Sequence, residues 1–306
     1  MLTHGTLTVG IVGAGRVGRT LGRGLRAAGW RVGPVVTRRL TTARQAVRAI
    51  GDGQPHAALT QQLLAADLVL VCVPDAEIAG LAQRLAEMGG KEWRGRIVLH
   101  VSGLLDSREL WPLGDCGAAT GTLHPVQVFS LRGITPLEGC FFEIEGTATA
   151  TRAARRICRE LGGVPLSVST AGKSACYAAR CFVCPLLAAS FETGTRILMA
   201  QGLTRRQATR VLEPLARRTL DSGFRVGPRA AASASTHARR ARRIARCAKA
   251  LSRFPRPYRD AYLALERLRA SLAETGGAPK KSPVAVPPRA FAVAAGEGKQ
   301  FGGENS

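Results

Sequence analysis

Acidic residues are scarce in this chain of 306 residues: 21 Asp and Glu stand against 44 Lys and Arg, a formal net charge of +23. A deficit of that size favours anionic partners, whether polyanionic cofactors, acidic small molecules, nucleic acid or a membrane surface. Long apolar runs are also missing. None reaches the roughly 18 residues of a membrane span, and the first apolar run, from Leu7, has no basic leader. Neither a membrane partner nor a secretory signal is therefore expected, and the cytoplasm is the expected compartment. With 45% hydrophobic residues the composition excludes a disordered polymer, and the length suffices for two domains with their own cores. Eight cysteines are present, mostly inside apolar periodic segments where Cys behaves as a small hydrophobe. Cys176, Cys181 and Cys184 have the C-x4-C-x2-C spacing of plant-type iron–sulfur ligation. They fall in a helical pattern rather than in a wrapping loop, so no metal is expected.

Against these absences stands one dense motif near the start. A strand-like run, Leu7 to Val12, feeds directly into Gly13-Ala14-Gly15-Arg16-Val17-Gly18, with glycines spaced G-x-G-x-x-G. Gly13 permits a tight turn, Gly15 lets backbone approach a pyrophosphate, and Gly18 lets the following helix pack close to the strand. The anion would rest on the orphan N–H groups at the helix start near Arg16, where the macrodipole also favours negative charge. An amphipathic segment (Val17, Leu21, Leu25) and a second strand, Trp30 to Thr37, follow at βαβ distance. That strand ends in Thr37-Arg38-Arg39, where a NAD site would usually carry an acid on the ribose hydroxyls. Two guanidinium groups suit a 2′-phosphate instead, so the expected cofactor is NADP (NADPH).

Further along, Thr41 or Thr42 can cap a helix that stops at Gly51-Asp52-Gly53, and His56 to Thr60 reads as a short strand. Asp67 to Val73 is a continuous apolar run ended by Pro74, as expected of a parallel strand buried on both faces. Val73 and Pro74 would then border the nicotinamide. Arg96 to Val101 makes the next strand, ending in His100-Val101-Ser102-Gly103, and Ala119 to Leu123 leads into His124-Pro125. Loops at the carboxyl ends of strands hold the ligand in open α/β sheets, so Ser102 and His124 are placed to meet a substrate. His124 can exchange a proton while hydride moves at the same carbon, with Ser102 as an orienting donor, whereas His100 reads as a satisfied strand histidine.

Phe141 to Glu145, a helix from Thr149 to Leu161, and Pro165 to Ser169 complete the α/β part. From there helical periodicities take over, at Gly172 to Ala200, Arg205 to Ser222, His237 to Leu251 and Tyr258 to Ala273. The expected class is α/β plus all-α. A dinucleotide-binding domain with a mainly parallel sheet spans residues 1–169, a helical substrate or dimerisation domain spans 170–274, and a tail without apolar periodicity, expected to be disordered, spans 275–306. Lys173 opens the first of these helices with Tyr177 one turn on, where an ammonium could polarise a carbonyl or hold a carboxylate. The dense basic run within 237–249 has a thin apolar stripe and no aromatic residue for stacking on bases. A nucleic-acid binder built on it is therefore a lesser alternative.

Together these residues carry a family resemblance. The chain resembles Rossmann-like oxidoreductases that bear domain of unknown function 2520, relatives of the 6-phosphogluconate dehydrogenase C-terminal helical domain. The matching motifs are Gly13 to Gly18, Asp67 to Asp75, His100 to Gly103, Leu123 to Phe129, Leu137 to Phe142, the Lys173 and Tyr177 pair, and Pro257-Tyr258. The resemblance implies an NADP-dependent oxidoreductase of a family whose substrate is generally unassigned; the first reading is a dehydrogenase or reductase acting on a small, anionic hydroxy- or oxo-acid-like substrate held between the two domains, and helical domains of this kind often pair, so a homodimer is open. The Ser102 loop followed by His124-Pro125 is similar to prephenate and arogenate dehydrogenases, where the serine and histidine contact the oxidised hydroxyl. Lys173 is similar to the helix-start lysine of β-hydroxyacid dehydrogenases, which assists proton transfer. The sequence departs from the family at Ala178, Pro185 and Leu186, where His and Ser-Asn are usual, and at Ala232 to Ser235 and Ala238-Arg239-Arg240, which replace a Leu-Thr-Gly-Pro and an Arg-Gly-Asp. An NADP(H)-binding protein without turnover is accordingly the main alternative function.

Overall fold

The structure, a computed structural model, describes residues 7–130, 133–227 and 237–274. The tail expected over 275–306 and the replaced segment Ala232 to Ser235 lie outside these residues. Contacts divide the chain into two compact units, one reaching to Ala178 and the other spanning residues 179–282.

The first unit is built on an eight-stranded sheet in the order β3-β2-β1-β4-β5-β6-β7-β8. The strands are β1 (Thr8–Val12), β2 (Arg31–Val36), β3 (Gln54–His56), β4 (Leu68–Val71), β5 (Ile97–His100), β6 (Ala119–Pro125), β7 (Phe141–Gly146) and β8 (Val164–Ser167). All neighbours are parallel except β6 and β7. The strand order reverses between β1 and β4, which is where open α/β sheets leave their ligand crevice. β4 and β5 are buried at every residue because helices cover both faces. On one face α1 (Arg16–Ala27), α2 (Leu40–Ile50) and α5 (Ala148–Glu160) enclose a core around Ile11, Leu21, Leu25 and Phe142. On the other, α3 (Asp75–Gly89) packs Ile78, Leu81 and Leu85 against Val69, Val71 and Trp93. The short α4 (Trp111–Asp115) adds Leu113 to that core.

Three local expectations are corrected. Helix α2 starts at Leu40 with Arg39 at its N-cap, not at a threonine cap, because the Thr37 hydroxyl donates to the Arg39 carbonyl and turns the chain one step earlier. The short strand expected over His56 to Thr60 is Gln54–His56 instead; it lies on the sheet edge, where Pro55 is tolerated. The helix expected over Gly172 to Ala200 breaks into α6 (Lys173–Val183) and α7 (Pro185–Met199), since Pro185 cannot donate into the ladder and starts a new helix at N1.

In the second unit α7 packs on α8 (Arg205–Val226), which opens with a capping box from Thr204 and Gln207, while α9 (His237–Leu251) packs on α10 (Arg256–Glu274). The absence of any span-length apolar stretch is also corrected. The helical run Thr170–Met199 is long and apolar enough by length and composition, and none of its apolar window is buried within the chain. The charges of this run are spaced widely enough to leave an apolar window between them, which a search for uninterrupted apolar residues passes over.

Candidate active site

The sheet register sets the site. One rung of paired residues crosses six strands: Val36, Val12, Val71, His100, Thr122 and Glu145. Immediately past this rung, on one edge of the sheet, come Gly13, Cys72 to Pro74, Ser102 and His124. At about 4.8 Å per strand, the glycine turn after β1 and the histidine at the end of β6 lie roughly 14 Å apart along that edge.

Around the glycine turn the three glycines differ physically. Gly13 has φ +90°, and a Cβ there would meet the Cys72 carbonyl oxygen at 2.5 Å. A Cβ on Gly18 would meet the Gly13 carbonyl oxygen at 2.3 Å. A Cβ on Gly15 would meet nothing within 4 Å, so this position opens onto space. Helix α1 then begins with no side-chain cap and no acid in its first turn, leaving its leading N–H groups to serve an anion. The turn forms one wall of a cavity of about 790 Å³. Thr37, Arg38, Arg39, Val73 and Pro74 line it, as do Arg19 from α1 and Arg84 from α3. Among the described residues lining it Glu77 is the one carboxylate, and it stands 3.5 Å from the Arg38 guanidinium in an exposed pair. Four arginines against one acid give the cavity a net positive lining. Arg16 turns elsewhere: its Nη1 donates to the Phe129 carbonyl at 3.2 Å, tying the helix start to the segment after His124. Arg19, Arg84 and Glu77 were not read from the sequence, because they project from helix faces that only the fold brings to the turn.

At the other end of the edge a buried polar cluster fixes the Ser102 loop. His100 is fully buried; its Nδ1 accepts the Ser102 N–H at 3.2 Å and its Nε2 donates to the Asp106 carbonyl at 2.9 Å. Burial, and secondarily the nearby Lys173 charge, push its pKa from 6.5 to about 4, against the raising effect of the Asp106 bond. Lys173 is fully buried too and donates from Nζ to the Ser102 carbonyl at 2.8 Å and to Thr122 Oγ1 at 3.0 Å. Glu145 accepts from the Ser107 N–H and hydroxyl and from the Thr170 hydroxyl, pinning the far end of the same loop. The Ser102 hydroxyl accepts from the N–H groups of Leu104 and Leu105, so what it has left to offer is its own proton. His124 is half-buried at the end of β6, with Nδ1 2.9 Å from the Val101 carbonyl. A carbonyl there requires the proton on Nδ1, which makes Nε2 the basic nitrogen.

The His100 environment carries a pH dependence. Its folded pKa lies below the unfolded value, so the unfolded chain binds the extra proton between about pH 6.5 and 4. The stability of neutral His100 is thus complete above pH 6.5 and is lost as pH falls toward 4, by about 3 kcal/mol. Urea unfolding of the wild type should lose that much more between those pH values than His100→Gln does. Parallel pH profiles for the two proteins would refute it.

Two family models divide the chain between them: a Rossmann-like domain matches residues 1–125 and a domain of unknown function (DUF2520) matches residues 140–254. The chain joins a Rossmann-like domain to a DUF2520 domain. No curated protein matches the sequence. Solved structures resemble it over most of its length. A provisionally assigned NADP oxidoreductase from Bacteroides fragilis aligns with a TM-score of 0.67 at 20% identity, covering 88% of this chain and 98% of its own. A reductive aminase from Aspergillus terreus, in complex with NADPH and ethyl-5-oxohexanoate, aligns at 0.66 and 15%, covering 89% and 95%. An imine reductase from Myxococcus stipitatus, in complex with NADP+, aligns at 0.65 and 17%, covering 86% and 94%. At these identities the likeness establishes a shared fold for the Rossmann-like and DUF2520 parts taken together. Of the family departures, Ala178 lies on α6, and Pro185 and Leu186 open α7 with Leu186 half exposed.

Proposed function

We propose that this protein is an NADP-dependent oxidoreductase that moves a hydride between the nicotinamide and a small hydroxy- or oxo-acid-like substrate. The observation that carries the reading is the single sheet edge that presents an open glycine turn, an arginine-lined cavity and a tautomer-fixed histidine in line. Gly13, Ala14, Gly15 and the leading N–H groups of Arg16, Val17 and Gly18 would hold the pyrophosphate. Thr37, Arg38 and Arg39, with Arg19 and Arg84 beside them, would hold the 2′-phosphate and adenosine, and Val73 and Pro74 would border the nicotinamide. When bound, the cofactor supplies or takes the hydride.

The chain's own residues then have separable tasks. His124 Nε2 takes the hydroxyl proton in the oxidative direction and returns it in the reductive one. The Ser102 hydroxyl donates a hydrogen bond to the substrate oxygen and keeps its proton. Lys173 is a positioning residue in this scheme: its ammonium is committed to the Ser102 carbonyl and Thr122, so it acts through the loop. The fold shared with NADP-bound reductases supports the cofactor assignment. The acid-like substrate is supported by the similarity of the Ser102 loop and His124-Pro125 to the substrate-contacting loops of prephenate and arogenate dehydrogenases.

Incubation with NADPH deuterated at the transferable C4 position and a panel of small oxo acids and cyclic imines tests the reading. Deuterium should appear at the reduced carbon of an oxo acid, detected by mass spectrometry. Deuterium in imines alone would replace the substrate class. Tight NADPH binding with no transfer to any member would favour a cofactor-binding protein without turnover.

A further inference from the structure

Residues 179–282 contain 22 Lys and Arg against six Asp and Glu, so +16 of the chain's +23 is concentrated there. Within this stretch, Ser222 to Arg259 contains eleven Lys and Arg and no acid. Among the described side chains of α9 and the turn after it, the structure sorts the cations into two sets. Arg240 and Arg243 face α10, where Glu266 holds both: Arg240 Nε lies 3.6 Å and Arg243 Nη2 3.9 Å from its carboxylate, and Arg240 Nη2 donates to the Glu266 carbonyl at 2.9 Å. Arg269 completes the cluster at 3.0 Å. Ala248, buried, and Cys247, which meets the Tyr262 hydroxyl, lie on that same packed face. Glu266 thereby fixes the roll of α9 about its axis.

That roll turns Arg242, Arg246 and Lys249 outward. They follow one another at helical spacings of four and three, with Arg253 continuing the line in the turn after the helix, and all four are exposed. Among the described residues, none of the four has a carboxylate within ion-pair distance, whereas the cations on the packed face do. On the helix the line covers about 10 Å at 1.5 Å per residue. Like charges at these spacings repel one another, so a folded helix alone gains nothing from the arrangement.

We propose that the outward face of α9 is a docking surface for the phosphate backbone of duplex DNA. Charge complementarity argues for a polyanion, and the neighbours of the stripe select which one. Ala245 and Ala250 flank it, so the face has no aromatic ring to stack on unpaired bases and no bulky apolar group to insert among lipid chains. What remains is regularly spaced positive charge without base-reading groups, which suits a backbone carrying one phosphate charge per about 1.7 Å of duplex axis. Binding of this kind is independent of DNA sequence.

Fluorescence anisotropy with a labelled duplex of mixed sequence, using the full chain, tests the proposal. Four phosphate contacts contribute a slope of about −3.6 in log K against log salt, roughly a 150-fold loss of affinity between 50 and 200 mM. The triple variant Arg242→Gln, Arg246→Gln, Lys249→Gln should make the slope shallower by about 2.7, with an unchanged melting temperature and unchanged NADPH affinity. A control that removes equal charge elsewhere, Arg44→Gln, Arg48→Gln, Arg152→Gln, should leave the slope as it is. The proposal is overturned by no duplex binding at 50 mM salt, by the same slope change in both variants, or by tighter binding of single-stranded DNA or of phosphatidylserine vesicles than of duplex.

Discussion

Gly13→Val is expected to destabilise the first unit by about 3 kcal/mol or more, because two separate penalties fall on it. A branched residue at φ +90° costs on the order of 1–3 kcal/mol in backbone strain alone. Its Cβ would also sit 2.5 Å from the Cys72 carbonyl oxygen, and backbone of a central strand end cannot step aside as a flexible side chain would. Thermal melting should fall by at least about 6 °C. The neighbouring Gly15→Ala gives the contrast: φ is an ordinary −71° and nothing lies within 4 Å of the new Cβ. That variant should melt like the wild type and yet bind NADPH at least about tenfold more weakly, since the methyl occupies the space a pyrophosphate needs. If Gly15→Ala binds NADPH normally, the turn is a strand-to-helix connection and no more.

The second large effect concerns His124. Replacement by Gln keeps a polar side chain at the end of β6 but removes the titratable nitrogen, so kcat for hydride transfer should drop by about 10²- to 10⁴-fold with NADPH affinity unchanged. A variant that loses cofactor binding and turnover together would instead mark His124 as a scaffold residue. Lys173→Met, in contrast, should lower stability and turnover together, because it strips the Ser102 carbonyl and Thr122 of a buried donor.

What the sequence made legible here was local. The run into Gly13, the buried β4 ended by Pro74, and the switch to helical periodicity after β8 each depend on residues close in the chain. The errors were local too, but decided by contacts that sequence spacing does not weigh: the Thr37 hydroxyl claimed the Arg39 carbonyl and moved the start of α2, and Pro185 divided a continuous apolar pattern. The site was legible in its parts and not in its arrangement. Ser102 and His124 could be placed at strand ends, but the rung that aligns them with Gly13 depends on strand register across four strands. Lys173 shows the limit most plainly. As sequence it is a helix-opening cation one turn before Tyr177; in the fold it reaches back 71 residues to the Ser102 loop and is fully buried. Arg19 and Arg84 are likewise ordinary helix arginines until the sheet brings α1 and α3 to one cavity.

A titration of NADPH and NADH against the wild type and Arg38→Ala, followed by the quenching of protein fluorescence, tests the central claim that this cavity binds a dinucleotide through its 2′-phosphate. The wild type is expected to bind NADPH at least about tenfold more tightly than NADH, with that preference largely lost in Arg38→Ala while NADH affinity stays the same. Equal affinities in the wild type, or an Arg38→Ala variant that weakens both cofactors alike, would contradict it.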